Sequence, residues 1–333
     1  MKIAFFETAK REQAYLKEKL KGHKITFFKG EITLASAKKV SDAEVIGVFI
    51  YSKVSKKILD LFPKLKLVTT MSTGFNHIDL EECKKRKITV TNVPTYGENT
   101  VAEHTFALIL ALSRKIHYSY ERTKVADFSA QGLEGFDLKE KTIGIVGCGH
   151  IGRHVVRIAK GFEMNVLVYE KNPDKNLAKK LGFKNVALNY LYKNSDIISF
   201  HVPLFPSTKH MLNSKTLTLL KKGCMIINTA RGEIIETDAL IKGLSKGIIG
   251  SAGLDVLEGE CFIREEKQVL DEHFSKECDL RAILKNHLLL KQKNVLITPH
   301  NAFNSFEAIY RILDTTIKNI SDFSKGKKIN KVD

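Results

Sequence analysis

Gly147-Cys148-Gly149-His150-Ile151-Gly152 follows an apolar run at 142–146 and precedes a helical pattern at 153–162. In the order strand, G-x-G-x-x-G, helix, each glycine has a task. The first makes the tight turn, the second lets a pyrophosphate reach the backbone, and the third lets helix and strand pack closely. The helix N-terminus then faces the anion. With 21 Gly in 333 residues, chance supplies on the order of 0.1 such hexamers, so the flanking elements carry the specificity. The next apolar run, 165–169, ends at Glu170, a carboxylate able to accept from adenosine ribose hydroxyls and to repel a 2′-phosphate. The expected cofactor is NAD rather than NADP, with Lys171 weakening the discrimination. Cys148 is either a thiolate stabilised at the helix N-terminus or a small side chain filling the turn, and the second reading is favoured. His150 and His154 have a metal-binding spacing, but no third ligand accompanies them and no metal is expected.

Ligands of open parallel sheets gather beyond the carboxyl ends of the strands, and three such ends carry polar groups here. The run 225–229 leads into Ala230-Arg231-Gly232, the run 248–255 ends at Asp255 ahead of Glu258 and Glu260, and 295–298 leads into Pro299-His300. A guanidinium clamps a carboxylate through two parallel hydrogen bonds. A protonated imidazole gives its proton to a carbonyl oxygen as hydride reaches the carbon. A nearby Glu holds that imidazole and raises its pKa. These are the groups that reduce a 2-oxo acid. Singly, each has an ordinary reading as a surface cation, a loop carboxylate or a packed imidazole. Together, behind a dinucleotide loop, they point to hydride transfer.

The elements that must position them alternate from end to end. Strand-type runs at 2–6, 24–28, 45–50, 65–71 and 88–91 form one series, and 142–146, 165–169, 196–200, 225–229, 248–255 and 295–298 form a second. Helical patterns between them predict parallel sheets with right-handed crossovers. One helix is expected over 99–122, with apolar positions at Val101, Phe106, Leu108, Ile109, Leu112 and Ile116, long enough to bridge two units. The charged stretch 261–294 breaks the rhythm and is expected to hold a helix or two at the surface.

Composition narrows the class further. A chain of 333 residues with 43% hydrophobic and 27% charged residues is globular and long enough for two domains. No apolar run reaches the ~18–20 residues of a bilayer span, and Glu7 stops the first one before a secretory core forms, so a cytoplasmic protein without membrane attachment is expected. Five cysteines lack any Cys-x-x-Cys pair, which fits reduced thiols. The net charge of +17 favours anionic partners. The lysines are scattered, however, and Lys84-Lys85-Arg86-Lys87 closes a helix, where cations suit the dipole. No nucleic-acid partner is expected.

The residues resemble the D-isomer-specific 2-hydroxyacid dehydrogenases. The resemblance is carried by Ser72-Thr73-Gly74-Phe75-Asn76-His77-Ile78-Asp79-Leu80, by 93–104 (VPTYGENTVAEH), by the glycine loop, by Asn228-Thr229-Ala230-Arg231-Gly232, by Gly253-Leu254-Asp255-Val256-Leu257-Glu258-Gly259-Glu260 and by Thr298-Pro299-His300. It spans nearly the whole chain in family order. It implies a catalytic trio of Arg231, Glu260 and His300, with Arg231 also binding substrate. Asp255 then lies near the nicotinamide, amides around Thr73 and Gly74 hold the substrate carboxylate, and Tyr96 faces the substrate. Gly147, Gly149, His150, Ile151, Gly152, Glu170, Val202, Pro203, Thr229 and Ala230 complete the candidate cofactor set. The implied fold is two doubly wound α/β domains: a flavodoxin-like substrate domain, 1–98 plus 301–333, and a Rossmann-type NAD-binding domain, 99–300, inserted into it. Catalysis in the cleft and hinges near Glu98 and Asn301 follow by the same analogy.

Within the family the sequence is most similar to the D-lactate branch, because no proline follows Glu260 and Asn301-Ala302-Phe303 follows His300. Phe303 and Tyr96 would narrow the pocket toward a methyl group, making pyruvate the first expected substrate. A pocket separates one methylene by only ~1–3 kcal/mol, so larger 2-oxo acids stay open. A homodimer is the expected assembly. The competing reading is an NAD(H)-sensing, corepressor-like interaction protein that keeps the same residues.

Overall fold

The computed structural model describes residues 1–259, 280–327 and 330–332. The chain divides into two compact units, Met1–Tyr96 with Ser305–Asp333, and Gly97–Asn304, the second inserted into the sequence of the first.

The first unit holds β1 (Lys2–Phe5), α1 (Lys10–Lys19), β2 (Lys24–Phe27), α2 (Leu34–Lys38), β3 (Val45–Val48), α3 (Lys56–Leu59), β4 (Leu67–Thr70), α4 (Leu80–Lys85) and β5 (Thr89–Thr91). Its five strands are parallel in the order β2-β1-β3-β4-β5, the flavodoxin-like order. Successive residues such as Ile3 and Ala4, or Leu67 and Val68, point to opposite faces, yet all are buried. Both faces are therefore covered, which is why these strands read as continuous apolar runs.

The second unit contains α5 (Glu98–Ser113), α6 (Ile116–Lys124), β6 (Thr142–Val146), α7 (His150–Gly161), β7 (Asn165–Tyr169), α8 (Lys175–Leu181), β8 (Lys184–Asn185), α9 (Leu188–Asn194), β9 (Ile197–Phe200), β10 (Cys224–Asn228), α10 (Thr237–Ser245), β11 (Ile249–Leu254), α11 (Leu280–Leu290) and β12 (Val295–Ile297). The chain then returns to the first unit as α12 (Phe306–Ser324), which packs on β4. The second sheet is parallel, ordered β12-β11-β10-β9-β6-β7-β8, a doubly wound Rossmann arrangement that changes direction between β6 and β9. Alternate residues feed two cores. Ile143, Ile145, Ile197 and Met225 join one, while Val146, Ile198, Phe200 and Ile226 join the other.

The expected helix over 99–122 is two helices. Lys115 takes a left-handed φ of 50° and separates α5 from α6. The cause is tertiary: Ser113 O accepts from the Phe136 amide at 3.0 Å. A Cβ on Gly135 would sit 2.1 Å from that same carbonyl, so only glycine lets the following loop cap α5. Within the second unit α5 packs on α7, β10 and β11. The two-residue edge strand β8 gave too short a pattern to read from sequence. In the stretch 261–294, α11 matches one expected helix, and 260–279, which includes Glu260, lies outside the described residues.

Candidate active site

The dinucleotide loop begins where β6 ends. A Cβ on Gly147, whose φ is 95°, would lie 2.6 Å from His201 O and 2.7 Å from Val202 Cγ1, so the turn against the end of β9 needs glycine. A Cβ on Gly152 would meet Gly147 O at 2.2 Å, which fixes the close approach of α7 to the strand. Gly149, the residue before α7, differs: a Cβ there would meet nothing within 4 Å. The open space lies before the first turn of α7, whose leading amides have no partner within the helix. That pairing of room and donors fits a dinucleotide pyrophosphate.

Glu170 lies at the end of β7 beside the loop. Its Oε2 accepts from the Cys148 amide at 2.8 Å and its Oε1 from the Lys171 amide at 2.9 Å. The carboxylate thus ties β7 to the glycine turn and keeps lone pairs for ribose hydroxyls. Cys148 is buried, and burial pushes its thiol up to about 11, so it fills the turn as an inert side chain. His150 is exposed and Ile151 half-buried at the start of α7, and no metal-holding cluster occurs among the described residues. Val202 packs against the glycine turn, while Pro203 is exposed. Thr105 donates to Val101 O, so the Thr229 hydroxyl, 3.1 Å away, donates to Thr105 and is anchored on α5.

Register brings the three functional strand ends together. Asn228 pairs with Leu254 and Leu254 with Ile297, so β10, β11 and β12 finish at one level, and Arg231, Asp255 and His300 leave from it. Asn228, 1% exposed, splints the Arg231 turn. Its Oδ1 accepts from the Ala230 amide at 3.1 Å and its Nδ2 donates to Arg231 O at 2.9 Å. A Cβ on Gly232 would lie 2.0 Å from Leu257 C, so the turn presses directly on the segment after β11. The Arg231 guanidinium donates to Ala230 O at 2.7 Å, its one acceptor among the described residues, leaving donors of its fork for an anion.

His300 has a left-handed φ of 51°, a conformation uncommon outside glycine. Asp255 and the local turn together hold it. The His300 amide is shared between Asp255 O and Thr298 O, at 2.9 Å from each. The carboxylate, 2% exposed, accepts from Thr298 Oγ1 at 2.6 Å and from the Asn301 and Ala302 amides at 2.9 Å each. His104 of α5 completes the arrangement, with Nε2 3.0 Å from Thr298 Oγ1 and 3.6 Å from Asp255 Oδ1. The turn therefore wraps around one buried carboxylate, whose oxygens face this turn. Sequence reasoning assigned a role to Asp255, whereas Asn228 and His104 stood only inside the motifs that carry the resemblance, with no role given to either.

Glu258 also has a defined partner. His210 Nε2 approaches its Oε1 at 2.6 Å, and Thr237 donates to Oε2 from Oγ1 at 2.8 Å and from the amide at 3.1 Å. Burial pushes this carboxyl up, and the bonds from His210 and Thr237 more than offset it, holding it below the usual range. Nothing in the sequence linked His210 to this strand end.

The first unit offers an anion loop after β4. Ser72 O accepts from the Val93 amide at 3.0 Å, Thr73 O from Asn92 Nδ2 at 2.8 Å, and Gly74 O from Ser72 Oγ at 2.6 Å. In a trans peptide the carbonyl and the following N–H point in opposite directions. Three anchored carbonyls thus aim the Thr73, Gly74 and Phe75 amides away from their anchors, and among the described residues none accepts from them. Tyr96 is half-buried, its carbonyl held by Arg311 Nε at 2.5 Å. Phe303 is half-buried in the second unit.

Comparison with known proteins accords with this construction. Residues 106–302 match the sequence model of the D-isomer specific 2-hydroxyacid dehydrogenase NAD binding domain. D-lactate dehydrogenase of Escherichia coli is 35% identical over 331 residues, covering 98% of each chain. Glyoxylate reductase of Thermococcus litoralis is 35% identical over 297 residues, covering 87% of this chain and 83% of its own. The crystal structure of D-lactate dehydrogenase from Aquifex aeolicus, complexed with NAD and lactic acid, superposes with a TM-score of 0.85 at 35% identity, covering 97% and 96% of the two chains. The chain belongs to the D-isomer-specific 2-hydroxyacid dehydrogenase family. It is an NAD-dependent oxidoreductase, and its second unit carries the NAD-binding domain.

Proposed function

We propose that the chain reduces small 2-oxo acids with NADH, pyruvate and D-lactate being its principal pair. Similarity to D-lactate dehydrogenases across almost the whole length supports the substrate. The similarity to glyoxylate reductase keeps the smaller 2-oxo acid in the set to be tested. The single observation that carries the reading is the common level at which β10, β11 and β12 release Arg231, Asp255 and His300.

In this reading NADH, held by the loop Gly147 to Gly152 and by Glu170, supplies the hydride. Arg231 binds the 2-oxo carboxylate through its fork. His300 gives a proton to the carbonyl oxygen, with Glu260 as its carboxylate partner. Asp255 serves mainly to hold the His300 turn. The first unit is the substrate domain, and the second binds coenzyme. The chain acts as a homodimer, to which the exposed Ile116, Tyr120, Val125 and Phe128 on and after α6 would contribute apolar surface. Light scattering reads that assembly directly.

The test is a steady-state survey of pyruvate, glyoxylate and longer 2-oxo acids with NADH and NADPH. The expected result is the highest kcat/KM with pyruvate and a clear preference for NADH. Arg231→Lys, which keeps the charge but loses the fork, should raise KM for pyruvate strongly without weakening NADH. Negligible turnover with every acid would overturn the proposal.

A further inference from the structure

The carboxylate that gathers the His300 turn is itself served from α5. His104, half-buried on that helix, places Nε2 3.0 Å from Thr298 Oγ1 and 3.6 Å from Asp255 Oδ1. Which nitrogen carries the proton follows from the donors at hand. An ionised carboxylate only accepts, and a hydroxyl has one proton to give. Thr298 Oγ1 gives that proton to Asp255 Oδ1 at 2.6 Å, so it accepts from His104, and Nε2 is the protonated nitrogen. The bonds run one way, from the imidazole to the hydroxyl to the carboxylate. The next residue on the helix makes a matching contact, Thr105 Oγ1 meeting Thr229 Oγ1 at 3.1 Å. Two consecutive residues of α5 therefore hold the outgoing ends of β12 and β10, the strands that release His300 and Arg231, with β11 and Asp255 between them.

We propose that His104 is a positioning residue for proton transfer: by donating to Thr298 Oγ1 it turns that hydroxyl toward Asp255 and so fixes the turn from which His300 acts. The proposal rests on the reading of His300 as proton donor to a 2-oxo acid. The physical reason is directional. A threonine hydroxyl rotates about its Cβ–Oγ bond and can give its proton to any acceptor it sweeps past. A donor held against its lone pair leaves the proton only the direction of the carboxylate, and each bond polarises the next. Thr298 stands two residues before His300, and its carbonyl shares the His300 amide with Asp255 O, at 2.9 Å from each. A loosened Thr298 therefore moves the catalytic imidazole. A residue at 104 that only filled space would need neither a donor nor a particular reach.

The experiment measures hydride transfer to pyruvate in a single turnover of the preformed NADH complex, with NADH affinity and pyruvate KM, for wild type, His104→Leu, His104→Asn and His104→Gln. Glutamine carries an N–H about as far from its Cα as Nε2 lies in histidine, whereas asparagine stops one methylene short. The expected result is a rate about tenfold lower in His104→Leu and His104→Asn, restored to within threefold of wild type in His104→Gln, with NADH affinity and KM within twofold throughout. A merely structural role would follow the melting temperature and would not separate His104→Gln from His104→Asn. A second measurement locates the path: in a Thr298→Val background, where the acceptor is gone, His104→Leu should change the rate by less than twofold. A rate in His104→Leu within twofold of wild type overturns the proposal, as do equal rates in His104→Asn and His104→Gln, or a full tenfold loss in the Thr298→Val background. Should His104→Leu fail to fold, the comparison of His104→Asn with His104→Gln decides. If His300→Ala is slow and the His104 variants are not, the positioning role alone fails. If wild type reduces no 2-oxo acid, the functional reading fails and the positioning role with it.

Discussion

Asp255 and His300 are joined twice: main chain to main chain through the His300 amide at 2.9 Å, and through a carboxylate that gathers the Thr298 hydroxyl and the Asn301 and Ala302 amides on either side of it. The left-handed conformation of His300 is thus held from a neighbouring strand end as well as by its own turn, through Thr298 O. Asp255→Asn should therefore loosen the turn, because an amide group cannot accept from all of these donors. One buried donor left unpaired costs about 1–3 kcal/mol, seen as a lower melting temperature. The kcat for pyruvate should fall at least tenfold with less change in KM. If kcat stays within twofold, the carboxylate does not position His300.

Gly149 and Gly152 should respond oppositely to alanine. A methyl at 149 enters open space, whereas one at 152 meets Gly147 O at 2.2 Å. Gly149→Ala is expected to keep its melting temperature but to raise the NADH dissociation constant tenfold or more. Gly152→Ala should lose about 1–3 kcal/mol of stability to overpacking. Fluorescence titration with NADH and calorimetry separate the two effects, and equal NADH affinity in Gly149→Ala and wild type would argue against the pyrophosphate cradle.

The three cysteines described as free and buried should be poorly reactive. Burial pushes Cys83 and Cys148 up to about 11 and Cys224 up to about 12, so little thiolate exists near neutral pH. Peptide mapping after iodoacetamide treatment at pH 7.5 should find these three unmodified in native protein, with or without NAD. Rapid labelling of Cys148 would contradict its place as a filler of the turn.

Stability should decline on mild acidification through His201. Its Nδ1 is sealed from solvent without a partner, its Nε2 meets Ser199 Oγ at 2.8 Å, and burial pushes the imidazole down to about 3. The folded state therefore holds the neutral ring. Its contribution is complete above the unfolded value near 6.5 and diminishes as pH falls, by up to about 1.4 kcal/mol per pH unit, until the folded value is reached. Urea unfolding of wild type and His201→Asn between pH 7.5 and 4.5 should show a constant difference at the top of the range that shrinks below pH 6.5. Parallel curves throughout would sink the assignment.

The legibility of this chain was uneven for physical reasons. The inner strands of both sheets could be read because burial on both faces gives apolar runs, while the two-residue edge strand β8 could not, and Gly147, Gly149 and Gly152 could be read because each answers a distinct steric demand. The break at Lys115 could not, since the loop that caps Ser113 does so through Phe136, far downstream. Arg231, Asp255 and His300 were visible as polar residues at strand ends, but the wrapping of 298–302 around Asp255 depends on strand register. Hydrogen bonds that link Asn92 to Asn319 and Asn330, and Asn330 to Asn319, span a separation that no local pattern encodes.

The central claim is that His300 protonates a 2-oxo acid held for hydride transfer. Its most direct test is pyruvate reduction by wild type and His300→Ala side by side, with NADH consumption followed and the lactate resolved by enantiomer. Wild type should form one D-lactate per NADH and no L-lactate. The variant should bind NADH normally and turn over roughly 10²–10⁴ times more slowly. L-lactate as product, or a variant within tenfold of wild type, would contradict the account.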